Sequence, residues 1–393
     1  MTDSRRRFLQ HSLGLFTGVL GSPLILKNAA AVGNQYDVIA NENVEGLWRV
    51  ETMELDIAEN LIPLVDKAQG GDLVEHIGEI RRKVALDLGI LLPPVRIRDD
   101  TRLSKNQYVF RIRAADVGSS IVYPDRLLVL KGDTDCHLEG IDCLEPVYGL
   151  RCVWISGHDR EEAEAARYKM VNATSVLATH LCQIIKQHAS DLLTLENTVR
   201  ILEQLKETEP TLVEAIHARF RTDEVHKILK MLLKETISIR DMTTILETMV
   251  NKADHRRGPL YLTESVRIAL ASQITESFLK ANGPIAGVHL DAPFEVLLRR
   301  HVVWEYDEAH FNLPANDLET VIASIRNALR SAMADNFPAV IVTSPIIRPA
   351  VWGHLSTFVR GLTVIGTDEI VPGTTLTFRV NVPLPEALSH TPA

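Results

Sequence analysis

Aromatic side chains make up only 5% of this 393-residue sequence, so its cores must be built from Ile, Leu and Val runs rather than from ring packing. Basic charge is also short: 42 Lys and Arg stand against 51 Asp and Glu, a formal net charge of -9. A nucleic-acid binder needs a basic face to neutralise phosphates, so that partner class is excluded. Short basic runs such as Arg81-Arg82-Lys83 read as the solvated face of a helix. Four cysteines are present, Cys136, Cys143, Cys152 and Cys182, with no CxxC pair among them. His137 beside Cys136 does not complete a zinc ligand set, so reduced or buried thiols are expected rather than a metal or a disulfide. Beyond Asn41 no apolar run approaches membrane-spanning length. No phosphate-cradling glycine loop follows a strand, and neither a nucleotide nor another cofactor is expected.

What is present is average for a folded, water-soluble body: 46% hydrophobic and 24% charged residues. Single cores stop growing at roughly 250 to 300 residues, so several domains are expected. The amino terminus departs from this picture. Ser4-Arg5-Arg6-Arg7-Phe8-Leu9-Gln10 resembles a twin-arginine export motif, and Leu13 to Leu26 is a moderately apolar, Gly-rich stretch ending near Ala29-Ala30-Ala31. It reads either as a leader or as a membrane-proximal stub, which Gly14, Gly18, Gly21 and Pro23 weaken as a span.

Leu73, Ile77, Ile80, Val84 and Leu88 recur at helical spacing, with Asp72 placed to cap and Gly89 to stop the helix. Val95 to Arg98 and Tyr108 to Arg113 then alternate apolar and basic residues, as half-buried strands do. A helix feeding strands is an α/β unit. Short strands and turns from Gly118 to Ile155 read as an insertion. A helix carrying Leu177, Leu181 and Ile184 is expected to start at a Ser175 cap, and Leu195 to Leu270 reads as an all-α succession of short amphipathic helices. Strands at Val288-His289-Leu290, Ala339 to Thr343 and Leu362 to Ile365, with helices over 317–334 and 347–359, imply a second α/β sheet.

Catalytic chemistry finds little support. The acidic loop Asp133-Thr134-Asp135 with Glu139 and Asp142 has Leu138 where a calcium loop needs glycine and Leu144 where it needs a bidentate carboxylate. Ser156, His158 and Asp159 sit side by side, but sequence neighbours cannot all point at one another, and Asp159 reads better as the cap of a helix starting at Arg160. Glu305, Asp307, Glu308 and His310 contain metal-ligating types that no spacing rule selects, so a polar surface loop is expected. No catalytic residue and no metal is assigned.

Other motifs carry a resemblance. Glu59-Asn60-Leu61-Ile62-Pro63-Leu64-Val65-Asp66, Ile80-Arg81-Arg82-Lys83, and Pro93-Pro94-Val95-Arg96-Ile97-Arg98-Asp99 resemble the start of the cytoplasmic region of the flagellar and virulence type III export-gate (FHIPEP) family. Glu145-Pro146-Val147-Tyr148-Gly149-Leu150, Ala178-Thr179-His180-Leu181, Ser238 to Glu247 and Ile347-Arg348-Pro349 follow in family order, so the likeness covers roughly 43–388.

The resemblance implies a multidomain α+β and α/β body. After a leader-like or membrane-proximal segment over 1–42 come a discontinuous first α/β subdomain over 43–122 and 173–193 and an inserted ferredoxin-like subdomain over 123–172. A helical subdomain follows over 194–275 and a C-terminal α/β subdomain over 276–393. It implies a docking gate without enzymatic activity, at the cytoplasmic face of the bacterial inner membrane. Its partners would be chaperone–substrate complexes and other export-apparatus components, and its assembly a homo-oligomeric ring, a nonamer in the family. Chaperone binding is implied for Glu145, Tyr148 and Thr179, around an apolar dimple between the first two subdomains. The family commonly has Asp and Phe at the first two of these positions, so acidic and aromatic character persists. Read as a complete chain, the sequence lacks the family's polytopic membrane half and could form no channel. A stand-alone binding protein, soluble or exported through the Arg5-Arg6 leader, is the alternative from another class; a hydrolase using Ser156 or the Glu305–His310 cluster is the third.

Overall fold

A computed structural model of the chain describes residues 50–130, 138–147, 149–254, 257–282, 285–334, 338–359 and 361–388. The leader-like segment with Arg5 and Arg6, the acidic triplet Asp133-Thr134-Asp135, Cys136, His137 and Tyr148 lie outside these residues. Every element below belongs to one compact unit, Thr52–Ala393. Among the described residues no helix is long and apolar enough to cross a membrane.

Strand β1 (Met53–Ile57) is followed by helix α1 (Leu73–Leu88) and strands β2 (Arg96–Asp99), β3 (Gln107–Ile112) and β4 (Ala115–Ile121). They form a sheet of order β2-β1-β3-β4, parallel at β1–β2 and antiparallel elsewhere. The predicted apolar stripe of α1 is the one that is buried, Leu73, Ile77, Ile80, Val84 and Leu88, each stabilising by roughly 1.5–3 kcal/mol. Asp72 stands at the N-cap without a side-chain cap bond. Gly89 is left-handed at φ 78, and a Cβ there would lie 2.6 Å from the Arg240 amide nitrogen, so two constraints demand glycine. β1 escaped the sequence reading because Glu54 and Asp56 interrupt its apolar pattern. Both are buried, and both are answered by cations of neighbouring strands: Arg98 reaches Glu54 at 2.8 Å and Asp56 at 3.3 Å, and Arg111 pairs with Asp56.

Next come β5 (Arg126–Leu130), β6 (Ile141–Leu144), β7 (Arg151–Ser156), α2 (Arg160–Ala165) and β8 (Met170–Asn172), giving an antiparallel sheet of order β6-β7-β5-β8. In this part, expected to be ferredoxin-like, the described residues form four antiparallel strands and one six-residue helix. Helix α3 (Ala173–Gln187) follows directly. Its cap is Asn172, whose side chain accepts from the Ser175 amide, and not Ser175 as its hydroxyl suggested.

Seven helices continue the chain: α4 (Ala189–Leu192), α5 (Leu195–Thr208), α6 (Pro210–His217), α7 (Thr222–Lys234), α8 (Met242–Lys252), α9 (Pro259–Ala269) and α10 (Ala271–Asn282). Their apolar faces share one core with the first sheet, from Met53 through Ile274. The last part runs β9 (Ile285–Leu290), α11 (Ala292–His301), β10 (Val302–Trp304), β11 (Ala309–Phe311), α12 (Ala315–Ala334), β12 (Val340–Thr343), α13 (Arg348–Leu355), β13 (Thr363–Gly366) and β14 (Leu376–Val382). Its main sheet is parallel throughout, of order β13-β12-β9-β14.

A buried ion cluster joins the helices to this last sheet. Arg267 on α9 holds Glu369 with both oxygens, at 2.8 and 2.6 Å, and Glu235 at 3.1 Å. Arg348 on α13 reaches Glu235 at 2.6 Å and grips Glu264, one bond being 2.5 Å. Burial alone would push the Glu235 carboxyl up, but Arg267 and Arg348 together hold it below the usual range. For Glu264 burial prevails over Arg348, and its carboxyl is raised. Removing one cation strands carboxylates in a dry site. Arg348→Met should therefore cost 3 to 5 kcal/mol or so in urea unfolding. Tryptophan fluorescence provides the readout, and an unchanged midpoint would show that the cluster does not hold the two parts together.

Candidate functional site

A mainly apolar hollow of about 510 Å³ lies between the first two sheets. Ser119, Ser120 and Ile121 of β4 form one wall, Cys143, Leu144 and Glu145 at the end of β6 another, and Val176 of α3 closes a side. Tyr123 and Trp154 meet edge to face at 5.6 Å, and both line it. Two large apolar side chains of its lining stay in water: Ile121 is 47% exposed and Leu144 64%. Asp142 and Glu145 give the lining its charge, and among the described residues no Lys or Arg lines it.

Glu145 is built into a turn. Its amide donates to the Leu150 carbonyl at 2.8 Å, its own carbonyl accepts from Gly149 at 2.9 Å, and its carboxylate accepts from the Val147 amide at 2.9 Å. The side chain thus stiffens the loop beside the hollow. Thr179 lies on the exposed side of α3, its hydroxyl donating to the Ser175 carbonyl at 2.7 Å, and it lines neither this hollow nor the next. Ala178, expected to leave room beside it, is buried in the core. The described residues therefore place Glu145 in the hollow and Thr179 on the helix that bounds it. Tyr148, the third expected residue, lies outside them.

A second, more polar hollow of about 480 Å³ shares Ser119 and Pro146 with the first. His180, Gln183 and Gln187 of α3 line it, with His188 just past the helix end. At the second hollow the Tyr108 hydroxyl meets His180 Nδ1 at 2.8 Å, with Phe110 packed edge-on against both rings. Burial holds the imidazole pKa at about 4 and raises the Tyr108 phenol. Gly118 makes room for this cluster: a Cβ there would lie 3.2 Å from His180 Nε2 and 2.5 Å from Ile184.

The other chemical candidates separate. Ser156 accepts from the His158 amide at 3.3 Å, which is a local turn and no triad. Asp159 precedes α2 but makes no side-chain cap bond, contrary to its expected role. Glu305, Glu308 and His310 do converge, their donor atoms within 4.8 Å of one another on the exposed β10–β11 hairpin. Asp307 instead pairs with Lys227 at 2.5 Å. Sequence reasoning missed Ile121, Leu144 and Trp154 as hollow-lining residues. Only the pairing of two sheets brings them together, and no short-range spacing encodes it.

Comparison with known proteins returns consistent matches. The FHIPEP family profile matches residues 25–375. The flagellar biosynthesis protein FlhA of Bacillus subtilis is 33% identical over 331 residues, 84% of this chain and 49% of that protein. This chain thus spans about half the length of that curated relative. Among solved structures, the Chlamydia pneumoniae CdsV protein superposes with a TM-score of 0.75 at 21% identity, covering 85% of this chain and 98% of that one. The nonameric EPEC SctV-C gives 0.67 at 18%, covering 85% and 98%.

The buried imidazole makes stability depend on pH. Above about 6.5, His180 is neutral folded and unfolded, and its contribution is complete. As pH falls from 6.5 towards 4, the unfolded chain binds a proton that the folded chain refuses, and about 3 kcal/mol is lost by pH 4. His180→Asn, which cannot titrate, should lose correspondingly less between pH 7 and pH 4 in urea titrations. Equal losses in both proteins would remove His180 as the cause.

Proposed function

The chain belongs to the FHIPEP family, and we propose that it supplies the chaperone- and substrate-docking body of a type III protein export gate, flagellar or virulence. The first hollow supports this reading most directly. It keeps Ile121 and Leu144 in water beside a stiff turn that carries Glu145. Exposed aliphatic side chains around a concave, acidic-edged surface suit an apolar, cation-bearing face of a partner better than a small polar metabolite. The chain acts by binding and not by bond cleavage. Its partners are chaperone–cargo complexes and other components of the export apparatus, and it works at the cytoplasmic face of the inner membrane. The nonameric assembly of SctV-C favours a ring of copies here as well.

Leu144 separates docking from folding because its side chain is mostly solvated. Leu144→Ala should weaken chaperone–cargo binding by on the order of 2 kcal/mol, measured by titration calorimetry, and leave the thermal midpoint in place. Tyr148→Ala should act in the same direction. Wild-type affinity in both variants would place docking elsewhere on the surface.

A further inference from the structure

The four cysteines lack any motif, yet the fold sets two of them face to face. The β6–β7 ladder pairs Cys143 with Cys152 as direct cross-strand neighbours. Glu145 and Leu150, the opposed residues just beyond the hairpin ends of the two strands, are joined by an amide–carbonyl bond of 2.8 Å. Hydrogen-bonded pairs recur every second residue of an antiparallel ladder, so Cys143 and Cys152 are also such a pair, with Cα atoms about 5.5 Å apart. That separation lies at the centre of the range that disulfides take. Opposed residues project from the same face of the sheet, so both sulfurs lie on one side.

Their accessibility differs. Cys143 is half-buried in the wall of the first hollow, open to a small reagent. Cys152 is 1% exposed within the core, its S–H donating to the Leu150 carbonyl at 3.3 Å. An outer thiol backed by an inner one is the arrangement of an attacking and a resolving cysteine.

We propose that Cys143 and Cys152 form a redox-reactive dithiol that small disulfides such as glutathione disulfide oxidise to a cross-strand bond. The Cys143 thiolate attacks one sulfur of glutathione disulfide, the S–S bond breaks, and one glutathione thiolate leaves. The Cys152 thiolate then attacks the Cys143 sulfur of the mixed disulfide and expels the second glutathione. Two protein thiols lose two electrons, and one glutathione disulfide becomes two glutathiones, which take up the two protons. The second step clears a bulky adduct from the hollow and ties its wall to the core strand β7. The thiol chemistry holds whether or not the hollow docks a chaperone.

Trypsin cuts after Arg151, which separates the two cysteines and makes the bond visible as joined peptides. The full chain carrying Cys136→Ser is incubated with glutathione disulfide, remaining thiols are alkylated, and the digest is read by mass spectrometry. Two alkylatable thiols should be lost, with the Cys143 and Cys152 peptides joined and released by dithiothreitol. In the same background Cys152→Ser should leave Cys143 glutathionylated, and Cys143→Ser should leave Cys152 without an adduct. A persistent glutathione adduct on Cys143 with Cys152 intact, a bond to Cys182, or two thiols that stay alkylatable would each overturn the proposal. The joined-peptide measurement needs no substitution at either cysteine of the pair, so it stands even if a serine variant folds poorly.

Discussion

Two arginines buried among three carboxylates govern how the helical and C-terminal parts of this protein meet. Arg267 and Arg348 are each almost fully buried, and an isolated guanidinium in such a place would cost far more than its packing could return. Each must find its glutamates, and those glutamates come from distant stretches of chain: Glu235 at the end of α7, Glu264 on α9 and Glu369 after β13. Few arrangements of α7, α9, α13 and β13 satisfy all five charges at once. The Val364 carbonyl, which accepts from Arg267 at 3.2 Å, brings the edge strand of the last sheet into the same constraint. The cluster is better understood as a device for a single docking geometry than as a source of net stability, because desolvation offsets most of the attraction.

The same logic recurs on a smaller scale in the first sheet. Glu54 and Asp56 sit on a central strand where apolar residues would pack more simply, and arginines of β2 and β3 neutralise them from either side. Parallel pairing on one side and antiparallel on the other are thereby tied to specific cross-strand charges. A one-residue slip would strand two buried carboxylates, so the register of β1 is fixed electrostatically as well as by the apolar pattern.

Periodicity made the helices legible and long-range pairing hid much else. The α1 stripe from Leu73 to Leu88 and the helical run after Leu195 follow from spacing alone, because each residue's environment there is set by neighbours three or four positions away, whereas β3 buries Tyr108, Val109 and Phe110 in a row where alternation was expected. β1 and β14 went unread, the first because of its paired carboxylates. The Asn172 cap was displaced to Ser175 in the sequence reading since both are good capping types and only the backbone decides between them. The hollow was legible only through the resemblance, which supplied Glu145, whereas Ile121 and Leu144 belong to strands in different sheets. Likewise nine positions of sequence separate Cys143 from Cys152, a spacing without meaning until the hairpin register sets them opposite each other.

The hollow sets exposed, replaceable side chains on a fixed floor. Its floor is core: Trp154, Leu128 and Val176 are buried, and the Tyr108–His180 pair and the close approach at Gly118 lock β3 and β4 against α3. Its exposed wall is made of side chains that contribute little to stability, Ile121 and Leu144, and of a turn whose shape is held by the Glu145 carboxylate. Substitutions at the exposed positions can therefore change what the hollow accepts without altering the sheets that shape it. Under the docking role proposed above, a rigid floor beside an exposed wall would let one scaffold serve different apolar partners, since little ordering would be left to complete on binding.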